Sequence, residues 1–515
     1  MRLIWCVAAA LPLLLARAAL PGLAEPSEAR YGQICREMAE GGDWLVPRWQ
    51  GIPHLEKPPL AYWAGAGGLR ILGRTEIAVR LGALLALVAS AVWAAGVARR
   101  VGGPGAAAPA ALGMLLSPLT VTAGAACLTD PFLLAATTLF FHAVVRRLHD
   151  RDDRALDAAA LALGLGFLAK GQMILLFTVV PLALARTGVF KELWRLQRVA
   201  ILLALAVPWP LYIETRFPGF LRYQVGAIGG RAAGSGHDAP FFVYLLALAG
   251  GLFPFALYAP RGAGAVALPY RRLLLLWLLV PLVVLSAAGS RLWTYILTAA
   301  PPVLLLAAAR LGGSPAPASG RPKWVLAVAG AASVAAWIAG KPAAAADALP
   351  FARDLGVALL LGAGWLALAR RRTRTVAVAG LSAILVAAIV EGACVHETLF
   401  RAHRSFARKV RDLSEETGAP VVVLGMSLPS IAFYGDAPVT IAGEGGRLAI
   451  EAETWGESPL FQPEADIAKI LETDRESVLV VKERVLKTLA PDREPRILEG
   501  GLAAVQGAGT VRPVR

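Results

Sequence analysis

Long apolar runs separated by short polar segments fill the first 396 residues of the chain. Because a membrane-spanning helix needs about 20 mostly apolar residues, these runs predict transmembrane helices. The thirteen candidate spans lie at 3–22, 77–98, 104–126, 131–146, 155–169, 172–186, 198–213, 240–259, 273–289, 294–310, 323–340, 354–369 and 375–395. Lys170-Gly171 interrupts the run 155–186, which is either one long helix or two short helices around a loop.

The positions of arginine and lysine between the spans test this count. If Arg2 is cytoplasmic and the spans alternate, every strong basic cluster between spans falls on the cytoplasmic side, as the positive-inside rule requires. Merging 155–186 into one span breaks this agreement. The sequence therefore predicts thirteen spans, with an outer segment that begins at about 397.

Composition agrees with a membrane domain joined to a soluble one. Only 17% of the 515 residues are charged, whereas a soluble chain carries about 25%. The net charge of +15 does not indicate nucleic-acid binding, because the basic residues form short clusters that act as topology signals. The four cysteines have no metal-ligand spacing, and a disulfide between Cys35 and Cys127 stays open. The first apolar segment is either a signal peptide or, as we favour, an uncleaved signal-anchor helix.

Residues 397–515 have an ordinary soluble composition and predict a small α/β domain beside the transmembrane domain 1–396. The predicted helices are Phe406 to Glu416 and Ile467 to Leu471, and the predicted strands are Val421 to Leu424, Ile431 to Tyr434, Val439 to Ile441 and Val478 to Val481. The segment has no glycine-rich phosphate loop and no nucleophile motif.

The first outer loop, 24–76, has the richest pattern. Ser27 can cap a helix that begins at Glu28 and ends at Gly41-Gly42. Its apolar stripe of Tyr31, Ile34, Cys35 and Met38 suits a helix that lies on the membrane surface. The stretch at about 60–72 predicts a second surface helix.

Two ionisable residues stand at the edges of apolar runs. A carboxylate that borders hydrocarbon is costly, so Asp130 is a functional candidate, although it could instead cap the next helix. Lys170 lies in an otherwise apolar region of about thirty residues and is either a ligand-binding cation or a snorkelling anchor.

The loop also carries a specific resemblance. Its strings Ser27-Glu28-Ala29-Arg30-Tyr31, Gly42-Asp43-Trp44-Leu45-Val46-Pro47 and Glu56-Lys57-Pro58-Pro59-Leu60-Ala61-Tyr62-Trp63 resemble the first periplasmic loop of bacterial lipid-linked-sugar glycosyltransferases. These are the aminoarabinose transferase that modifies lipid A and the wider family related to protein O-mannosyltransferases. The resemblance continues weakly at Thr129-Asp130, Lys170-Gly171, Pro208-Trp209 and Arg291-Leu292-Trp293-Thr294-Tyr295. It implies a GT-C fold in the bacterial cytoplasmic membrane.

The resemblance implies transfer of a sugar from a polyprenyl-phosphate donor to a lipid, glycan or protein acceptor at the outer membrane face. Such a reaction needs a carboxylate for the acceptor, for which Glu28 and Asp130 are the candidates, and groups that hold the leaving phosphate. The candidates for the phosphate and sugar are Lys57, Lys170, Arg231, Arg291, Tyr295, Tyr62 and His237. No cofactor is required by the sequence, and a divalent metal shared by Glu56 and His237 has no support from ligand spacing.

Two departures from the family limit the prediction. The family usually begins the loop with Asp-Glu where this chain has Ser27-Glu28, so Glu28, Glu25 or Asp130 must supply the base. The family's Glu-His pair is also missing from 226–230, which favours another sugar or acceptor over aminoarabinose and lipid A. A transporter and a catalytically altered binding protein are the alternatives, but a transporter should place its charges near mid-membrane.

Overall fold

The computed structural model describes residues 3–232, 239–313, 321–339, 348–369, 374–436, 438–443, 447–474 and 476–506. Its helices are α1 (Leu3–Ala19), α2 (Ser27–Gly41), α3 (Leu60–Leu72), α4 (Glu76–Val101), α5 (Ala107–Leu116), α6 (Pro118–Gly124), α7 (Asp130–Asp150), α8 (Ala155–Lys170), α9 (Met173–Ala185), α10 (Val189–Glu192), α11 (Leu196–Ala206), α12 (Pro208–Arg216), α13 (Phe220–Ala232), α14 (Val243–Gly251), α15 (Ala259–Ala263), α16 (Leu268–Ala287), α17 (Ala300–Gly312), α18 (Arg321–Ala339), α19 (Ala348–Leu368), α20 (Arg374–Val395), α21 (Arg404–Thr417), α22 (Pro429–Tyr434), α23 (Arg447–Trp455), α24 (Ile467–Thr473) and α25 (Glu483–Leu489). Its strands are β1 (Arg48–Trp49), β2 (Ile52–Pro53), β3 (Val421–Leu424), β4 (Val439–Ala442), β5 (Phe461–Gln462), β6 (Val478–Lys482), β7 (Ile497–Glu499) and β8 (Leu502–Gln506).

The helices confirm a polytopic α-helical membrane protein. Among the described residues, 7 helices are long and apolar enough to cross a membrane, or up to 9 if each of two bent helix pairs is one span. Three further apolar helices are shorter, at Leu3–Ala19, Met173–Ala185 and Leu326–Ala335. Length and composition alone therefore identify fewer spans than the thirteen that we predicted.

The run 155–186 is divided in two, as the charge pattern predicts. α8 ends at Lys170 and α9 begins at Met173. Gly171 between them has a φ of 63°, a backbone conformation that glycine adopts without the steric cost of a side chain. The lysine is therefore placed at a helix end and not in the middle of a span.

The chain forms two compact units. The first unit comprises Met1–Leu20, Glu56–Ala64 and Arg80–Gly392, and the second comprises Pro21–Leu55, Gly65–Val79 and Ala393–Arg515. Most of the first outer loop thus groups with the C-terminal segment, which a linear division of the chain at 396 did not anticipate. In the first unit, aromatic packing helps to join the helices, since Phe141 of α7 stacks on Trp277 of α16 with ring centroids 4.1 Å apart.

The second unit contains a six-stranded sheet in the order β5-β4-β3-β6-β8-β7. The central strands are parallel, with Val421 of β3 opposite Val439 of β4 and Val478 of β6, whereas β8 runs antiparallel to β6 and β7. Its apolar side chains pack with Leu471 of α24 and Leu486 of α25 into one core. The near-continuous apolar runs in β3 and β6 fit strands that are buried on both faces.

Two expectations for this unit were wrong. Residues 431–434 were predicted as a strand, but they belong to the helix α22, because a short apolar run does not distinguish a buried strand from a buried helix. The stripe of α2, from Tyr31 to Met38, was expected on the membrane surface, but its four side chains are buried in the protein. None of the four cysteines forms a disulfide, so the bond considered between Cys35 and Cys127 is not formed.

Buried polar contacts join the first loop to the C-terminal segment within the second unit. The Tyr434 hydroxyl accepts a hydrogen bond from the Leu23 N–H at 3.0 Å and donates one to Glu76 at 3.2 Å. Arg404 forms an ion pair with the same Glu76 carboxylate at 3.2 Å. Residues that are far apart in sequence are thus held around one hydroxyl, and each bond satisfies a polar group that burial would otherwise penalise.

Glu25 takes part in the same connection. Its N–H donates to the Arg401 carbonyl at 2.8 Å, and its Oε1 accepts from the Ser430 N–H at 2.7 Å. Its other oxygen, Oε2, is buried and has no hydrogen-bond partner among the residues described. Burial raises the pKa of this carboxyl from 4.5 to about 7, although the Ser430 hydrogen bond and nearby arginines oppose the rise.

We therefore predict that Glu25 makes the protein less stable as pH rises from about 4.5 to 7, because ionisation is harder in the folded state than in the unfolded state. Glu25→Gln keeps an acceptor for Ser430 and removes the ionisation. Above pH 7 it should stabilise the protein by about 1 to 3 kcal/mol. Thermal unfolding of the purified protein between pH 4.5 and 8 measures this, with the exposed Glu464→Gln as control. Equal pH dependence in the wild type and Glu25→Gln would contradict the prediction.

Candidate functional site

Asp130 and Lys170 meet at one end of an antiparallel helix pair. α7 begins at Asp130 and α8 ends at Lys170, so the short connection between the two helices places these residues side by side. The Lys170 ammonium donates to the Asp130 carboxylate at 2.6 Å, and the two side chains are only 12% and 7% exposed. The cap position of α7 is occupied by Thr129, so Asp130 is not the N-cap that we considered as its alternative role.

Tyr295 completes this cluster. It lies in the 3-10 segment Trp293–Ala299, and the Lys170 ammonium sits 4.2 Å from the centroid of its ring. A cation over an aromatic face is attracted by the ring electrons. Lys170 is therefore held between a carboxylate and an aromatic ring, which does not fit a side chain that snorkels freely toward water.

A second lysine–carboxylate pair lies on the first-loop segment of the same unit. The Lys57 ammonium is 2.9 Å from the Glu56 carboxylate, and the two side chains are 10% and 7% exposed. Pro58 and Pro59 follow at once and lead into α3. Lys57 is thus a buried cation on a short, conformationally restricted segment.

Lys57, Lys170 and Tyr295 line one cavity of about 190 Å³ together with Gln172 and Ser290. The remaining wall is apolar and consists of Met173, Leu176, Phe177, Val284, Leu285 and Ala288. The cavity therefore offers two ammonium groups and several hydrogen-bonding groups beside a hydrocarbon-like surface. Such a lining suits a ligand with an anionic head and an apolar tail.

Sequence reasoning missed Gln172 and Ser290. Each is adjacent or nearly adjacent to a residue that we had singled out, since Gln172 follows Lys170-Gly171 and Ser290 precedes Arg291. Both lie at breaks between helices, and this position was the available signal, because irregular backbone at a span boundary is tolerated where it borders a cavity.

The Arg291 side chain binds backbone carbonyls instead of lining this cavity. Its guanidinium donates to the carbonyls of Ser286 at 3.2 Å and Ala239 at 2.9 Å, and it is not among the cavity-lining residues. These bonds tie together the chain segments before and after α14 to α16. Tyr62 is fully buried in α3 and also lies outside the cavity lining.

The other predicted residues are placed as follows. Glu28 lies in the second unit, where its buried carboxylate accepts a hydrogen bond from the Ala24 N–H at 3.0 Å. Arg231 lies in α13, and His237 lies outside the described residues. The metal considered between Glu56 and His237 stays a prediction, because His237 lies outside the described residues, while Glu56 pairs with Lys57 at 2.9 Å.

Comparisons with known proteins point in one direction. Residues 56–212 match the family described as dolichyl-phosphate-mannose-protein mannosyltransferase. An undecaprenyl phosphate-alpha-4-amino-4-deoxy-L-arabinose arabinosyl transferase of Pectobacterium carotovorum is 34% identical over 311 residues, which cover 56% of this chain and 55% of the relative. Its counterpart in Edwardsiella ictaluri is 34% identical over 59% of this chain and 58% of the relative. The chain thus matches little more than half the length of these curated relatives.

The fold extends the likeness to the whole chain. The crystal structure of ArnT from Cupriavidus metallidurans bound to undecaprenyl phosphate superposes with a TM-score of 0.83 over 99% of both chains, at 22% sequence identity. The protein therefore has the fold of that structure, the GT-C fold that the resemblance implied, with several helices apolar enough to span a membrane. The resemblance recognised in its sequence, to the aminoarabinose transferases and protein mannosyltransferases, is confirmed.

We predict that the Asp130–Lys170 pair is strongly coupled. Asp130→Asn leaves a buried ammonium without its counter-ion and should cost about 3 to 5 kcal/mol. Lys170→Met should cost a similar amount, and the double variant should recover part of the loss. Thermal unfolding of the four proteins gives the coupling energy.

The exposed pair Glu483–Lys487 on α25 is the matched control, and its coupling should stay near about 0.5 kcal/mol. Additive losses at Asp130 and Lys170 would show that the buried pair does not hold the two helix ends together.

Proposed function

We propose that this protein is a membrane glycosyltransferase, which moves a sugar from a polyprenyl-phosphate donor to an acceptor on the outer face of the cytoplasmic membrane. The observation that carries the proposal is the cavity with Lys57 and Lys170 at its polar end and an apolar wall beside them. A polyprenyl phosphate has this division of character. The curated relatives that the chain matches are named as transferases with an undecaprenyl-phosphate-linked sugar.

Lys57, Lys170 and Tyr295 are assigned to the donor phosphate. When the sugar–phosphate bond breaks, negative charge grows on the leaving phosphate, and cations that are already in position stabilise it without reorganisation. The Glu56 and Asp130 carboxylates fix the two ammonium groups before substrate arrives. Arg291 acts as a positioning residue because its guanidinium is bound to backbone carbonyls. Tyr62, Arg231 and His237 remain proposed members of the sugar and phosphate site.

A carboxylate must also orient or deprotonate the acceptor nucleophile. Ser27 has no carboxylate, so the role falls to Asp130 or Glu28. Asp130 is favoured because it is hydrogen-bonded to Lys170, which lines the cavity. Glu25 is less suited, since one of its oxygens is bound to Ser430 and the other is buried.

The topology that we propose has thirteen spans, with residues 397–515 as a periplasmic α/β domain. The positive-inside rule supports this topology, because every strong basic cluster between the spans then falls on the cytoplasmic side. The same topology gathers Lys57, Asp130, Lys170 and Tyr295 on the outer side. The acceptor is a lipid, glycan or protein. The missing carboxylate at Ser27 and the glycine-rich 226–230 favour a sugar or acceptor other than the aminoarabinose and lipid A that the sequence resemblance implies.

Transfer is tested with purified protein reconstituted with labelled polyprenyl-phosphate sugars and a membrane lipid extract. We expect a labelled product from at least one donor. Asp130→Asn should slow transfer by about 100-fold or more, the range of a lost acid–base group, and Glu28→Gln shows whether the second carboxylate shares the role.

The exposed Glu464→Gln serves as control and should keep full rate. Full activity in both Asp130→Asn and Glu28→Gln would remove both carboxylates from the mechanism. Donor binding without transfer from any donor would instead identify a binding protein with altered catalysis. The missing carboxylate at Ser27 is the sequence feature that would account for this result.

Recognition of the phosphate is tested separately by comparing undecaprenyl phosphate with undecaprenol. The wild type should bind the phosphate more tightly, and Lys170→Met should lose about 10-fold or more of that preference, as expected for charge-assisted hydrogen bonds. Isothermal titration in detergent measures both ligands. The undecaprenol affinity is the internal control, and an unchanged preference in Lys170→Met and Lys57→Met would place the phosphate elsewhere.

A further inference from the structure

A second cavity, in the unit that contains the C-terminal sheet, is lined by three arginines and three other residues. It has a volume of about 320 Å³ and is lined by Arg36, Ala39, Glu40, Leu69, Arg70 and Arg74. It shares no lining residue with the cavity of Lys57 and Lys170. Three guanidinium groups that line one small space repel each other, so an anion bound there would be stabilised.

Two of these arginines are fixed by the backbone around α22. Arg36 donates to the carbonyls of Ala432 at 2.6 Å and Gly435 at 2.7 Å. Arg74 donates to the Gly435 carbonyl at 2.9 Å and pairs with Asp436. Both side chains are therefore positioned before any ligand binds, which lowers the entropy cost of binding.

The third arginine has no such partner. Arg70 is exposed and makes no hydrogen bond or ion pair to any residue that the structure describes. The acids nearby are already engaged, since Glu40 pairs with Arg36 at 2.8 Å and Asp436 pairs with Arg74. An unneutralised guanidinium thus remains at the cavity, with N–H groups suited to bidentate contact with phosphate.

Two arginines of this cavity lie close in sequence to a candidate membrane span. α3 ends at Leu72, and α4, a candidate span, begins at Glu76, so Arg70 and Arg74 lie within six residues of its first residue. Ile71 and Leu72 beside them are 76% and 44% exposed. In the proposed topology these arginines are on the outer side. The positive-inside rule explains basic residues on the cytoplasmic side, so it does not explain these two.

We propose that this arginine cavity binds the phosphate headgroup of an anionic lipid, with Arg70 and Arg74 on the phosphate and the exposed Ile71 and Leu72 against the acyl chains. The apolar residues separate this ligand from a soluble anion, which would gain nothing from them. The ordinary explanation is that Arg70 favours the negative end of the α3 dipole. That role needs no ligand, and it would leave lipid binding unchanged when Arg70 is replaced.

The test uses the full-length protein, purified in detergent without sugar donor. Native mass spectrometry measures binding of phosphatidylglycerol, phosphatidylcholine and inorganic phosphate. The wild type should prefer phosphatidylglycerol to phosphatidylcholine, and Arg70→Gln should lower the phosphatidylglycerol affinity about fivefold, the contribution of one basic residue at a headgroup. Arg70→Lys should retain most of the affinity, and Arg484→Gln, which replaces an exposed arginine on α25, should retain all of it.

Two outcomes overturn the proposal. One is equal phosphatidylglycerol binding by the wild type and Arg70→Gln. The other is Arg70-dependent binding of inorganic phosphate that phosphatidylglycerol does not displace, which would indicate a free-anion site. Because Arg70 has no described partner, its replacement should not unfold the protein, and an unchanged thermal midpoint checks this. Since neither donor nor transfer enters the measurement, failure here is distinguishable from failure of the proposed glycosyl transfer.

Discussion

The ion pair between Lys170 and Asp130 determines how the membrane part can form a polar site. A charged side chain beside hydrocarbon is costly, and a counter-charge held at hydrogen-bond distance lowers this cost. Here the counter-charge is available because α7 and α8 are antiparallel neighbours, so the first residue of one meets the last residue of the other at 2.6 Å. Gly171 ends α8 immediately after the lysine and allows this meeting.

Once the pair exists, the surrounding cavity can be both charged and apolar. Tyr295 covers one side of the Lys170 ammonium, and Glu56 holds the second cation, Lys57. The wall from Met173 to Phe177 comes from the helix that starts just after the break. One interruption in an apolar run therefore supplies a cation and part of an apolar surface, the two features that suit a ligand with an anionic head and an apolar tail.

In the second unit, contacts between distant parts of the chain hold the polar first loop in a fixed conformation. Examples are the contacts of Tyr434 with Leu23 and Glu76, and of Arg36 with the carbonyls around Gly435. These contacts also position the arginines of the 320 Å³ cavity. Most of the first outer loop and the C-terminal segment thus form one structural unit, although more than 300 residues separate them in sequence.

Local apolar periodicity and backbone chemistry were sufficient to predict the helical membrane character, the break at Lys170-Gly171, the first-loop helices and the strand at Val421–Leu424. Asp130 and Lys170 were singled out by their positions at the edges of apolar runs, whereas Lys57 and Tyr295 were implied by the family resemblance. The folded structure was needed to show that Asp130 pairs with Lys170, that Arg291 binds carbonyls, that the α2 stripe is buried in protein, and that 431–434 is helical. Periodicity indicates which face of an element is buried, whereas the partner that buries this face is selected by packing between residues far apart in the chain.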